Sequence, residues 1–134
     1  MALVEAHQAH FLSEGAYLFA SGSALRPAEP DRLSLLPTTS VYDVIHYIGT
    51  NRNDGVGPAA VCDGLASLST YVSFTITRAN FDTLEGHWGQ IADPLRLARD
   101  LEHFCPDITD HGVLKLTDLA AQLAKDRRLF LWWD

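Results

Sequence analysis

The sequence predicts an α+β domain, a mixed or antiparallel sheet covered by about four helices chiefly on one face. Three observations point there. Short apolar runs of strand length interleave with segments whose apolar residues recur at helical spacing. The two kinds of segment do not alternate regularly as β-α-β, which leaves a doubly wound α/β sheet as the alternative. The chain has 134 residues, 47% of them hydrophobic and only nine glycine and six proline, so it can bury one core and is neither collagen-like nor disordered. One domain over 1–134 is expected, with residues 1–30 its least defined part.

At the amino terminus, His7 and His10 stand at i and i+3 on one face of an exposed amphipathic helix, without a third metal ligand or the glutamate of an H-E-x-x-H motif. Ala16 to Ala20 lie between Gly15 and the Ser21-Gly22-Ser23 turn signal and read as a short buried strand. Prolines 27 and 30 make Arg26 to Asp31 an exposed loop, after which Leu33, Leu35 and Leu36 suggest a second strand.

Ser40-Val-Tyr-Asp43 has the form of a capping box ahead of Val44, Ile45 and Ile48, giving a helix over Val41 to Ile48 that stops at Gly49. A polar loop from Thr50 to Gly57 follows, rich in residues that tolerate a left-handed backbone. Pro58 then opens a second helix whose buried stripe is Val61, Cys62, Leu65 and Leu68.

Tyr71 to Thr77 alternates Val72, Phe74 and Ile76 with Ser73, Thr75 and Thr77, the period of a half-buried strand. Asp93-Pro94 caps a third helix through Leu97, Leu101 and Phe104, which Pro106 ends. Thr117 or Asp118 opens a fourth helix through Leu119 and Leu123, with Lys125, Arg127 and Arg128 at its negative pole. Leu129 to Trp133 closes the chain as a central or near-central strand, because five large apolar residues at a sheet edge invite aggregation.

From about Leu33 onward the chain resembles the bacterial family known as domain of unknown function 4253. The resemblance rests on Leu35-Leu-Pro-Thr-Thr39 leading into a helix with a Tyr-x-Val/Ile pattern, Gly49-Thr-Asn51, Phe81-Asp-x-Leu-Glu-Gly86, Phe104-Cys-Pro-Asp107 and Leu129-Phe-Leu-Trp-Trp-Asp134. The last two are the most specific. Where the family carries an asparagine- and tyrosine-rich stretch, this chain has Arg52-Asn-Asp-Gly-Val56. The resemblance implies an α+β fold and a bacterial setting and transfers no catalytic residue.

Lysine and arginine number 10 against 17 aspartate and glutamate, a net charge of −7. That balance repels phosphate backbones and anionic membranes, so neither direct nucleic-acid binding nor membrane binding is expected, and it suits a protein partner with a basic surface. With no leader pattern and no apolar run near ~20 residues, a cytoplasmic protein is expected. Cys62 and Cys105 then read as two reduced core thiols.

The richest polar cluster is Phe104 to His111, where Asp107, Asp110 and His111 adjoin Cys105. Turn chemistry accounts for it better than metal or catalysis, since the spacing fits no zinc pattern and a helix C-terminus disfavours a thiolate. No metal and no cofactor is expected. Glu85 and His87 with Trp88 form a possible acid–base pair in an aromatic pocket, and Gly86 and Gly89 equally mark a turn whose aromatics pack. Asn51, Arg52, Asn53 and Asp54 form a loop that no core demand explains, and they are the candidate partner-binding residues. The favoured function is therefore a non-enzymatic protein-binding module of the inhibitor, immunity or adaptor type. The alternative is a small enzyme or ligand-binding domain with a pocket near Glu85, His87, Asn51 and Asp107. An enzyme would gather those residues in a cleft of at least ~300 Å³.

Overall fold

The computed structural model describes residues 2–22, 31–51, 57–110 and 112–133. Among these residues five strands form one mixed sheet: β1 (Tyr17–Ser21), β2 (Arg32–Leu36), β3 (Phe74–Ala79), β4 (Thr83–Trp88) and β5 (Arg128–Trp132), in the order β2-β1-β3-β4-β5. Only the β1–β3 pair is parallel. The helices are α1 (Ala2–Ser13), α2 (Val41–Ile48), α3 (Gly57–Ser69), α4 (Pro94–Phe104) and α5 (Leu116–Asp126), with a 3-10 turn at Pro106–Thr109. The α+β expectation holds.

Strand alternation assigns the two faces. Tyr17, Phe19, Ile76, Leu84, Trp88, Leu129 and Leu131 point to one side, where they form the core with Val44 and Ile45 of α2, Leu65 of α3, Leu97 and Leu101 of α4 and Leu119 and Leu123 of α5. Four helices therefore cover that face. The fifth, α1, lies on the reverse face, over the side to which Leu18 and Ala20 point. It is docked rather than exposed along its length: Val4 is fully buried, and Gln8 is 4% exposed.

Gln8 explains the docking. A bulge between Ile76 and Arg78 interrupts the β3 ladder, so the Ile76 carbonyl needs donors from elsewhere. Gln8 Nε2 donates to it at 2.7 Å and to the Leu18 carbonyl at 2.8 Å, stitching β1 to β3, while the Tyr17 hydroxyl donates to the same Ile76 carbonyl at 3.0 Å. Burial of that phenol pushes its pKa up to about 12.

Several local expectations change. The strand expected over Tyr71 to Thr77 starts three residues later and runs to Ala79, because Tyr71 and Val72 still bond back to Leu68 at the end of α3. Thr83 to Trp88 is a strand, where Gly86 and Gly89 had suggested a turn. At Gly86 a Cβ would stand 1.8 Å from the Thr75 carbonyl oxygen, so the glycine serves a close cross-strand approach. Ser40 makes no side-chain cap on α2; Thr38 bridges instead, donating from Oγ1 to Asp43 at 2.6 Å and accepting from the Ser40 amide at 3.1 Å.

The closing strand β5 is an edge strand, not a central one. Its apolar residues are protected differently: Leu129 and Leu131 are fully buried, Cys105 Sγ donates to the Trp132 carbonyl at 2.9 Å on the outer edge, and Asp126 accepts from the Arg128 amide. Both cysteines are buried and free. Among the described residues no helix is long and apolar enough to cross a membrane.

Candidate functional site

The candidate partner-binding loop begins where α2 ends. Gly49 takes a left-handed conformation (φ 77°) and its amide bonds back to Ile45, turning the chain out of the helix. Thr50, fully buried, donates from Oγ1 to the Asn80 carbonyl at 2.7 Å, and the Asn51 amide donates to the Phe81 carbonyl at 2.8 Å. The far end of the loop is tied to the near end, since Asn51 Oδ1 accepts from the Gly57 amide at 3.1 Å. The loop base is thus fastened to the β3–β4 turn. Two large side chains stand out beside it: Tyr47 in the last turn of α2, 68% exposed, and Phe81 in the turn itself, 58% exposed. Arg52, Asn53 and Asp54 lie outside the described residues.

The second group of candidates does not assemble into one pocket. Glu85 and His87 share the reverse face of the sheet, whereas Trp88, one residue on, points into the core at 3% exposure and packs edge-on against Phe74. The period of two forbids Trp88 from joining its neighbours. Asp107 and Asp110 belong to the 3-10 turn after α4, where the Asp110 amide bonds to the Asp107 carbonyl and Asp110 is left-handed (φ 50°). His111 lies outside the described residues. Among those described, no three His, Cys, Asp or Glu side chains gather as a metal site.

What Glu85 and His87 do join is an ion network that the sequence reading missed. Arg78, whose side chain is 8% exposed, donates from Nε to Glu85 at 3.0 Å and from Nη1 to Asp31 at 2.6 Å and to the Gly22 carbonyl at 3.2 Å. Arg128 stands 3.6 Å from the other Glu85 oxygen. His87 Nε2 donates to Glu5 of α1 at 2.6 Å. The guanidinium holds the exposed Asp31 carboxyl below the usual range, and the His87 hydrogen bond does the same to Glu5. A signal was available: Arg78 directly follows the alternating run that ends at Thr77, and an arginine carried into a sheet needs carboxylate partners.

Two larger cavities lie on the helical side. One, about 540 Å³, is lined by Arg99, Glu102, His103, Pro106 and Leu116. The other, about 670 Å³, lies between α3 and α4. Neither is lined by Glu85, His87, Asn51 or Asp107. A smaller groove of about 210 Å³ runs between α5 and β5 past Phe130 and Trp132.

Compared with known proteins, residues 32–134 match the model of one family, described as Domain of unknown function (DUF4253). No curated protein and no solved structure matches the chain.

Proposed function

The chain belongs to the DUF4253 family, and from that premise we propose that it is a protein-binding module of the inhibitor, immunity or adaptor kind, working in the cytoplasm of a bacterial cell. The binding surface is the Gly49–Gly57 loop with its flanking aromatics, and the partner is a protein with a basic face. One observation carries the reading: the Asn51 amide bond to Phe81 fixes the loop base between two exposed aromatic side chains, Tyr47 and Phe81. Aromatic residues on a rigid base supply most of the energy at protein interfaces, because they bring large contact area with little rotamer entropy to lose. The net charge of −7 supports a basic partner by steering its approach, and works against a nucleic acid.

The competing reading, a small enzyme or ligand-binding domain around Glu85, His87, Asn51 and Asp107, has less behind it. Glu85 is engaged by two arginines, and Trp88 and Asp107 sit on other parts of the fold. The test is capture of the partner from host extract by the full chain and by Tyr47→Ala/Phe81→Ala. The double variant should keep its stability within ~0.5 kcal/mol, since both side chains are exposed, and lose the partner. Recovery by the wild type should fall with rising salt. Undiminished recovery by the aromatic variant, together with loss of the host phenotype in His87→Ala, would replace the module with the enzyme reading.

A further inference from the structure

The groove between α3 and α4 is lined on one wall by Asp63 and Ser67, on the other by Arg96, Asp100 and His103, and floored by Gly64, Leu68 and Phe104. Its floor depends on Gly64, where a Cβ would fall 2.0 Å from Phe104 Cε2. The missing side chain brings the two helices together and leaves an apolar bed between two carboxylates. Tyr71 closes one end. Its hydroxyl donates to Asp100 at 2.5 Å, and the Arg96 guanidinium lies 3.9 Å over its ring, with Nε 4.0 Å from the same carboxylate. This end of the groove therefore already holds a cation between a π face and an anion. Further along, the Asp63 carboxylate has no hydrogen bond or ion pair among the described residues. Arg96 is matched by Asp100, so Asp63 leaves the groove one negative charge in excess when His103 is neutral.

We propose that this groove binds an organic cation, an ammonium or guanidinium group carried on an apolar body. Asp63 pairs with the charged group and the body lies on Gly64, Leu68 and Phe104. Arg96 competes from within, because it occupies the Tyr71 ring and Asp100 that would take a second cationic group. The site goes beyond the loop surface proposed above and shares no residue with it. The cation could arrive as a free amine or as a lysine or arginine side chain of a protein.

Calorimetric titration of the full chain at pH 8, where an ordinary imidazole is uncharged, tests this with two probes: agmatine, and a blocked arginine- and lysine-rich decapeptide. Saturable one-site binding is expected for at least one. Agmatine binding assigns a free amine as the source, and binding of the peptide alone assigns a partner's side chain. Asp63→Asn should weaken binding on the order of tenfold, as expected for loss of a charge-assisted hydrogen bond, while Asp126→Asn changes nothing. Arg96→Ala should strengthen it by about threefold or more by vacating the Tyr71 face. A structural role for Arg96 would not produce that gain. Absence of saturable binding to the wild-type chain with both probes up to about 10 mM, a millimolar limit equivalent to very weak affinity, overturns the proposal. So does indifference to Asp63→Asn, or loss of binding in Arg96→Ala, which would mark the groove as an anion site.

Discussion

Replacing Arg78 by methionine tests the reverse-face network where it is most buried. The guanidinium bonds to Glu85, Asp31 and the Gly22 carbonyl, and these contacts do not count equally. Glu85, with a side chain 16% exposed, loses a doubly charged hydrogen bond, a loss of about 1.5–3 kcal/mol. The Gly22 carbonyl loses a donor, for roughly 0.5–1 kcal/mol. Asp31 is half exposed, returns to water and contributes nothing to the sum. Against these stands the relief from desolvating a guanidinium, and the methionine stem fills much of the space. The net expectation is ~2–3 kcal/mol, short of the ~3–5 kcal/mol typical of a severed, fully buried pair, because Arg128 still stands 3.6 Å from Glu85. In a chain of this size that lowers Tm by roughly 10 °C. Urea unfolding with a common m-value gives the difference directly. The double variant Arg78→Met/Glu85→Leu should be more stable than Arg78→Met alone, since it removes the stranded carboxylate as well as its partner. A loss below ~0.5 kcal/mol, or a double variant that simply adds the two single losses, would refute the account.

Two further outcomes follow from the geometry. Gly86→Ala should destabilise by at least ~3 kcal/mol or prevent folding, because the new Cβ meets the Thr75 carbonyl oxygen, a backbone atom that cannot rotate away; circular dichroism melts check it. Acid should loosen α1 before the core: the Glu5 carboxyl titrates below its ordinary 4.5 when folded, so its contribution is complete above that value and disappears as pH falls through the lowered one. Protection of the α1 amides from exchange should therefore hold constant above pH 4.5 and fall below it, and Glu5→Gln should flatten that response; an unchanged response in the variant would remove Glu5 from the docking.

What the amino-acid pattern determined was local. Val44, Ile45 and Ile48 at helical spacing, Asp93-Pro94 ahead of Leu97 and Leu101, and Val72, Phe74 and Ile76 at period two each declare an element within a few residues. The same reading marked Asn51 and its neighbours as polar residues in excess of any core demand, which requires no knowledge of what they touch. What only tertiary structure decided rests on partners far apart in sequence. The Glu5–His87 bond spans 82 positions and the Arg78–Asp31 bond 47. Gly86 breaks the visible pattern of β4 because its role is set by Thr75 across the ladder, so Thr83 to Trp88 was legible only once β3 lay beside it. Leu129 to Trp133 has the composition of a central strand and lies at an edge, since its apolar residues report burial of a covered sheet face, whereas lateral order is set by which strands pair with it. The α3–α4 groove is of the same kind. Gly64, Tyr71, Arg96 and Asp100 carry no motif, and they become a site only because two helices meet where one side chain is missing.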